Sequence, residues 1–357
     1  MATGLPILFL SFGGPEGPEE IMPFLESVTR GRGIPRERLL GVAEHYRQMG
    51  GKSPINEITR QQARLLSEEL ARRGDPRAVV VGQRHAAPFT IDAMREIDKL
   101  GAREAIALCT APYRSEASVA RYSAAVEEAR ALMGGGAPRV RFVGSWFDHP
   151  RFISALASRA RQAQAPRDAA LLFTAHSIPC ALAKRSVYVE ELRETCALVA
   201  RELGRERWTL AYTSRSGDPR DAWLEPDAKS VLAELAAAGA RDALVVPVGF
   251  VADHVEVLYD LDVDARAAAQ AAGLRLHRAA TVGDHPDFIG MLADVVQAGP
   301  RGGDAWAVAS DRCATRAGRT LCAVGAGGAC LCFPGREDAP CRSAAVAQRG
   351  GRDAKKA

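Results

Sequence analysis

Short apolar runs alternate with longer amphipathic segments through most of the chain. The apolar runs read ILFLSF, AVVVG, AIALCTAP and RVRFVGSW in the first half, then AALLFTAH, WTLAYTS and DALVVPVGF. Amphipathic segments rich in alanine and arginine lie between them, near residues 21–47, 152–163, 188–202 and 227–238, and a last helix is expected around residues 287–297. This β, α, β rhythm predicts parallel sheets flanked by helices.

The rhythm begins again after Asp148 and His149. A chain of 357 residues also exceeds the usual size of a single hydrophobic core. We therefore expect two similar α/β lobes, residues 1–148 and 149–298, and a C-terminal extension, residues 299–357. In that extension glycine, alanine, arginine and cysteine prevail without clear periodicity.

Composition and charge narrow the class of protein. Hydrophobic residues make up 47% and charged residues 25%, which is the balance of a soluble globular protein. The formal charge of +4 is small, and arginines lie beside acidic residues, as in RELGRER, so no nucleic-acid partner is expected. The N-terminal apolar run is too short to span a bilayer and no basic segment precedes it. This predicts a cytoplasmic protein and leaves peripheral membrane contact open.

His176 ends the apolar run AALLFTAH and is followed by SIP. In an open parallel sheet, ligands lie in the crevice outside the carboxyl ends of the strands, so a polar residue in this place is a candidate for function. Pro179 prevents a simple continuation of the strand. A hydrogen-bonded loop histidine without a chemical role is the alternative.

Three carboxylates follow the apolar run DALVVPVGF at steps of four: Glu256, Asp260 and Asp264. On a helix, residues four apart share one face. Like charges at this spacing destabilise a helix slightly, and none of the three has a basic residue among its immediate sequence neighbours. Such an acidic line at a sheet crevice suits a path for a cation, and a solvated helix face is the alternative.

The motifs SFGGP, TRGRG, GGKSPIN, FTAHSIP, WLEPD and PVGFVADHVEVLYDLD occur in this order between Gly4 and about Val296. Through them the chain resembles the ferrochelatase family. The resemblance implies two Rossmann-like lobes around a porphyrin cleft, and insertion of Fe2+, as a substrate, into protoporphyrin IX or coproporphyrin III. It implies no organic cofactor.

The resemblance also assigns roles to residues. It implies that His176 and Glu256 face each other across the macrocycle as catalytic and metal-binding groups, and that Asp260 and Asp264 form an outer metal route. The positions that match porphyrin-contacting residues of the family are Phe12, Arg30, Tyr46, Ser53 and Tyr122. Some bacterial members carry tyrosine at position 12, where it can ligate product iron, whereas phenylalanine cannot. His85 and Trp223 are assigned structural or lining roles.

Five cysteines lie close together in the extension: Cys313, Cys322, Cys330, Cys332 and Cys341. In a reducing cytosol such a group more often signals metal or iron–sulfur ligation than disulfides. Some ferrochelatases carry a [2Fe-2S] cluster on a C-terminal extension. By that resemblance we expect a cluster on Cys322, Cys330, Cys332 and a fourth cysteine, from Cys313, Cys341 or Cys109, with a tail of incidental cysteines as the alternative.

Other functions stay open from the residues alone. A cobalt or nickel chelatase acting on sirohydrochlorin would share the fold, and a non-catalytic porphyrin or haem carrier would share the cleft. The AHSIP and HVEVLYD motifs favour the iron enzyme. No GxGxxG or Walker loop and no HExxH or CxxC pair is present, which argues against nucleotide enzymes and zinc hydrolases. The sequence holds no heptad pattern, so the oligomeric state stays open.

Overall fold

The protein contains two four-stranded parallel sheets flanked by helices, in a computed structural model that describes residues 4–215 and 221–300. The first sheet has the strand order β2-β1-β3-β4 and the second has the order β6-β5-β7-β8. The strands are β1 (Ile7–Ser11), β2 (Val79–Gln83), β3 (Glu104–Cys109), β4 (Arg139–Phe142), β5 (Ala170–His176), β6 (Thr209–Thr213), β7 (Asp242–Val246) and β8 (Arg275–Arg278). Both sheets place their first strand in second position, so the same topology occurs twice, and the predicted α/β fold is confirmed.

Helices connect and cover the strands. The α-helices are α1 (Ile21–Thr29), α2 (Arg36–Gln48), α3 (Ile55–Arg72), α4 (Thr90–Lys99), α5 (Val119–Met133), α6 (Pro150–Gln162), α7 (Cys180–Ala183), α8 (Tyr188–Glu202), α9 (Ala228–Ala237), α10 (Val255–Leu258), α11 (Arg266–Ala271) and α12 (Pro286–Ala298). A 3-10 turn, Pro18–Glu20, precedes α1, and a π-helix, Tyr259–Ala265, lies between α10 and α11. Among the helices of the described ranges, none is long and apolar enough to cross a membrane.

Two departures from the sequence pattern have local causes. The amphipathic stretch 21–47 forms two helices, because Gly31 and Gly33 adopt φ values of +76° and +64° and Pro35 precedes α2. Strand β8 is not expected from the pattern, because its sequence RLHR carries no apolar run and its side chains are exposed or half-buried. By contrast, β1 and β7 are buried along their whole length, as their continuous apolar sequences predict.

One hydrophobic core extends through both halves of the chain and includes Phe9 of the first sheet and Phe173 of the second. Helix α12 packs on α6 and also on α3, which belongs to the first half. Tyr113 donates its hydroxyl hydrogen to the Val248 carbonyl at 2.9 Å. The two sheets therefore lie on either side of the proposed boundary at residue 148 and are fixed to each other by buried contacts.

Candidate active site

His176 is the last residue of β5, and its imidazole lies beside α10. Its Nδ1 lies 2.5 Å from the Ser177 carbonyl oxygen, and its backbone carbonyl accepts a hydrogen bond from the Tyr188 hydroxyl at 2.8 Å. A carbonyl oxygen only accepts, so Nδ1 carries a hydrogen and Nε2 is the nitrogen left for chemistry. Nε2 lies 3.7 Å from the Glu256 carboxylate, and each side chain is 31% exposed.

Glu256 reaches His176 because α10 begins directly after the loop that follows β7. His254 begins this helix and accepts a hydrogen bond from the Val257 backbone at 3.4 Å through Nδ1. Burial raises the pKa of Glu256, but the His176 hydrogen bond and the charges of nearby histidines outweigh burial and lower this pKa overall. Burial likewise lowers the pKa of His176, and Glu256 outweighs it, so that this pKa is raised. Both shifts favour the state in which the proton shared by the pair lies on His176 and Glu256 is ionised.

Asp260 lies next to this pair, on the π-helix. Its carboxylate accepts a hydrogen bond from the Ser214 hydroxyl. Burial raises its pKa to about 6 in spite of that bond, and the negative charge of Glu256 adds to the rise. Asp260 therefore changes its protonation state close to neutral pH, beside the half-buried His176–Glu256 pair.

Asp264 has a different environment. Its carboxylate lies 3.2 Å from the Lys229 ammonium of α9, and the two side chains are 37% and 51% exposed. The residues next to Asp264 in the sequence do not reveal this partner, because Lys229 lies 35 positions earlier in the chain. Asp264 and Lys229 thus form an ordinary surface ion pair, which contributes little to stability. Because the lysine charge offsets that of the carboxylate, Asp264 attracts a cation less strongly than an unpaired carboxylate would.

The helix that carries these acids is not a regular α-helix. The four-residue spacing predicts one α-helical face, whereas the structure has one α-helical turn in α10, seven π-helical residues and then α11. π-Helical segments are rare and occur frequently at functional sites. A π-helix has about 4.4 residues per turn, whereas an α-helix has 3.6. Side chains four residues apart therefore still point to roughly the same side of the helix.

The two acids should respond differently to neutralisation. We expect Asp260→Asn to raise the apparent KM for Fe2+ about tenfold and to remove the loss of activity below about pH 6, since a buried carboxylate is replaced by a group that does not titrate. We expect Asp264→Asn to change both quantities less than twofold, because its charge is already paired. Steady-state rates of both variants, measured as a function of Fe2+ concentration and of pH, test whether the two acids differ in this way. Equal effects of the two substitutions would mean that Asp260 and Asp264 both lie on a solvated helix face without a role in the reaction.

The porphyrin-contacting positions implied by the family motifs do not share one environment. Tyr46, Ser53 and Tyr122 are buried, with 3%, 1% and 4% exposure. Burial raises the pKa of both tyrosines above the ordinary range. Phe12 is half-buried and Arg30 is exposed, so of these five positions only these two present appreciable surface to a ligand.

A group of arginines near Phe12 was missed in the sequence. The Arg84 guanidinium lies 5.5 Å from the Phe12 ring centre and 5.4 Å from that of Tyr122. Burial, followed by the charge of Arg121, lowers the pKa of Arg32, and burial with the charges of Arg121 and Arg32 lowers that of Arg84. Arg84 follows strand β2, so the strand-end rule that selects His176 would also have selected it.

This arginine cluster, defined as Arg30, Arg32, Arg84 and Arg121, carries uncompensated charge. In the described part of the chain, none of the four side chains takes part in an ion pair. Guanidinium groups match the planar geometry of carboxylates and form paired hydrogen bonds with them. The cluster therefore has the charge and geometry that a ligand with several carboxylates requires.

Two aromatic side chains also join the lobes beside the acids, and no sequence motif indicates this contact. The rings of His45, on α2, and Tyr259, at the start of the π-helix, stack at 3.8 Å with planes 7° apart. The charge of His45 is among those that lower the pKa of Glu256. Trp223 takes part in a bridge with Pro179, behind the segment that follows His176, which fits the structural role expected of it.

Within residues 4–215 and 221–300, no three histidine, cysteine, aspartate or glutamate side chains converge as a cage for a metal ion. The five cysteines expected to hold a cluster, Cys313, Cys322, Cys330, Cys332 and Cys341, lie outside the described residues. Cys109, a candidate fourth ligand, is buried at the end of β3, and burial raises the pKa of its thiol to about 11. Since iron–sulfur clusters bind thiolates, Cys109 would lose this proton only on binding the metal, and its role as the fourth ligand stays a prediction.

Comparisons with known proteins agree with this geometry. Residues 5–299 match the model of a family described as Ferrochelatase. A ferrochelatase from Rhodopirellula baltica is 42% identical over 296 residues, which cover 81% of this chain and 84% of the relative. A coproporphyrin III ferrochelatase from Mycolicibacterium vanbaalenii is 44% identical over 299 residues, which cover 81% of this chain and 88% of the relative.

Solved structures give the same architecture at much lower identity. The sirohydrochlorin chelatase SirB from Bacillus subtilis subspecies spizizenii, in complex with cobalt, has a TM-score of 0.51 at 11% identity, covering 83% of this chain and 94% of that chain. SirB from Bacillus subtilis with Fe3+ has a TM-score of 0.54 at 11% identity, covering 83% and 95%. At this identity the likeness shows the chelatase fold alone.

Proposed function

The chain belongs to the ferrochelatase family, whose reaction is the insertion of Fe2+ into a porphyrin in haem biosynthesis, and we propose that its substrate is coproporphyrin III. We also propose that His176 and Glu256 perform the insertion. The observation that carries this second proposal is their pairing at 3.7 Å, with Asp260 beside them. Such a pair supplies a nitrogen and an oxygen ligand for transient binding of Fe2+, and a place for the protons that leave the macrocycle.

Insertion requires that two pyrrole N–H protons leave while iron enters. The Glu256 carboxylate is the group of the pair that remains free to accept, because the shared proton lies mainly on His176. When His176 loses that proton, its Nε2 lone pair can hold iron or take a second pyrrole proton. Asp260, with a pKa of about 6, is ionised at neutral pH and can pass protons to solvent.

The arginine cluster supports coproporphyrin III over protoporphyrin IX. Coproporphyrin III carries four propionates where protoporphyrin IX carries two propionates and two vinyl groups. Four guanidinium groups without carboxylate partners suit the more anionic macrocycle. The relatives from Mycolicibacterium vanbaalenii and Mycolicibacterium smegmatis, at 44% and 42% identity, are named coproporphyrin III ferrochelatases, and this agrees with the proposal.

Neutralising one arginine should reveal this preference. We expect Arg84→Gln to lower kcat/KM for coproporphyrin III about 10- to 100-fold, the usual worth of a hydrogen bond to a charged group, and to lower that for protoporphyrin IX less. Arg95→Gln is the matched control, since Arg95 is an exposed arginine on α4 that pairs with Asp92. Competition between the two porphyrins in one reaction gives the ratio directly. If Arg84→Gln uses the two porphyrins in the same ratio as the wild type, the arginine cluster does not determine the choice of substrate.

Two rival functions are less well supported. The structural likeness to sirohydrochlorin chelatases stands at 11% identity, against 42–44% for the ferrochelatases. A porphyrin carrier has no need of a histidine–glutamate pair or of a neighbouring carboxylate with a raised pKa. Both features favour an enzyme that moves protons and iron.

We also propose that the extension carries a [2Fe-2S] cluster on Cys322, Cys330 and Cys332 with a fourth cysteine, from Cys313, Cys341 or Cys109. The support is the crowding of five cysteines within the extension. About two iron atoms and two acid-labile sulfides per chain in anaerobically purified protein would agree with it. Protein without sulfide from an iron-replete preparation would contradict it.

A further inference from the structure

His85 contains a buried nitrogen that no other group of the described chain satisfies. Its Nδ1 lies 2.9 Å from the Ser27 hydroxyl, whereas its Nε2 is inaccessible to solvent and has no hydrogen-bond partner within the described residues. Buried polar atoms are nearly always partnered, so an unpartnered one calls for a ligand or another explanation. His85 follows β2 as Phe12 follows β1, at the carboxyl ends of two neighbouring strands, and its backbone N–H donates to the Phe12 carbonyl at 3.0 Å.

The surroundings of His85 determine which kind of ligand it can take. Burial lowers the pKa of this imidazole to about 3, and the charges of Arg84, Arg32 and Arg30 contribute to the same shift. The ring is thus neutral under all ordinary conditions and cannot serve as a proton acceptor. The same positive charges favour a lone pair at Nε2 over an N–H group, which places the hydrogen on Nδ1, towards Ser27.

The arginines also exclude free Fe2+ from this place, because a cation is repelled by several guanidinium groups. Iron already inside a macrocycle meets no such barrier. The porphyrin supplies two negative charges to the metal, and its carboxylates satisfy the arginines. A neutral imidazole nitrogen is a common ligand for iron in this form.

We propose that His85 is an axial ligand to the iron of the metallated porphyrin, from the side of the first lobe. This inference rests on the proposed function, since it concerns the product of that reaction. The Nε2 lone pair forms the bond to iron, no proton moves and the oxidation state of iron does not change. His85 would thus hold the product and influence its release, in a protein whose Phe12 offers no ligand atom.

The Phe12 ring packs against the His85 ring. Its ring centre lies 4.7 Å from that of His85, with planes 55° apart, and its edge also meets Phe24 at 6.2 Å. Phe12 is only half-buried, so its ring can turn aside when a macrocycle enters. Phe12→Ala should therefore strengthen the bond between His85 and iron.

The test uses preformed iron coproporphyrin III added to the full-length protein, so the result does not depend on whether the protein inserts iron. Resonance Raman spectra of the ferrous complex report an iron–histidine stretching band directly. We expect the band in the wild type and in His176→Ala, its loss in His85→Ala and His85→Gln, its return with added imidazole in His85→Ala, and a stronger band in Phe12→Ala.

Three results would overturn the inference. They are a wild-type complex without the band, a band that survives in both His85 variants, and a band that disappears in His176→Ala while it persists in His85→Ala. The two His85 variants are compared by thermal unfolding before use. A wild-type spectrum without the band overturns the inference even if both His85 variants fail to fold. Insertion activity that fails while the band is present would reject the proposed function and leave the assignment of His85 intact.

Discussion

Replacement of His176 by alanine is expected to lower the rate of iron insertion by about 100-fold or more, the usual cost of losing a general base or ligand of this kind. The reason is local: the substitution removes Nε2, which faces Glu256 at 3.7 Å, and leaves Glu256 without its nearest partner. Porphyrin binding should persist, because the arginine cluster lies in the other lobe. Turnover of the purified variant, together with porphyrin fluorescence titration, measures both quantities.

His277→Ala is the matched control for this experiment. His277 is a half-buried histidine on β8 whose Nε2 lies 2.8 Å from Asp242. Arg275 continues to bind that carboxylate through two hydrogen bonds of 2.8 and 2.7 Å, so the fold should tolerate the loss. Activity near the wild-type level is expected. A His176→Ala variant that keeps a tenth of the wild-type turnover would exclude His176 as the central base or ligand.

Loss of Arg114 should have the largest effect on stability. Its Nε lies 2.6 Å from Glu191, and its backbone N–H donates to the same carboxylate at 2.8 Å. The two side chains are 10% and 3% exposed, and they join the segment after β3 to α8 of the second lobe. Arg114→Met removes the guanidinium charge beside the buried Glu191 and leaves only the backbone hydrogen bond, so we expect the free energy of unfolding to fall by about 3 kcal/mol.

Urea unfolding of three variants separates the pair from the individual side chains. Arg114→Met combined with Glu191→Met should recover most of the loss, since two apolar side chains can replace a buried ion pair at little cost. Glu191→Met alone removes the carboxylate that accepts from the Arg114 side chain and backbone, and it should be destabilising as well. A decrease below about 1 kcal/mol in Arg114→Met would mean that water or other groups compensate Glu191, and that this contact does not hold the lobes together.

Strand ends are the most informative part of the sequence. Apolar runs indicate the positions of most strands, and the rule that ligands lie beyond their carboxyl ends selects His176 from the sequence alone. The same rule applies to Arg84 and His85 after β2, but the motif around His85 indicates only a lining role. The significance of both residues comes from distances to Phe12 and Tyr122, and these rings belong to separate parts of the sequence.

The acidic line shows where periodicity fails. A spacing of four predicts an α-helical face and says nothing of the π-helix, since sequence spacing does not distinguish a turn of 3.6 residues from a wider one. The spacing also predicts the same environment and the same role for Asp260 and Asp264. Their difference arises from Ser214 and Lys229, which approach from a loop and from α9, and no local pattern encodes such contacts.

The most direct test of the account is single-turnover iron insertion under anaerobic conditions by the wild-type protein and by Glu256→Gln. The free-base fluorescence of coproporphyrin III bound to excess protein is followed after Fe2+ is added. We expect the wild type to convert all bound porphyrin, and Glu256→Gln, which cannot accept a proton at that position, to convert it about 100-fold or more slowly. Wild-type protein that binds the porphyrin but leaves it free of iron, or a variant as fast as the wild type, would contradict the account.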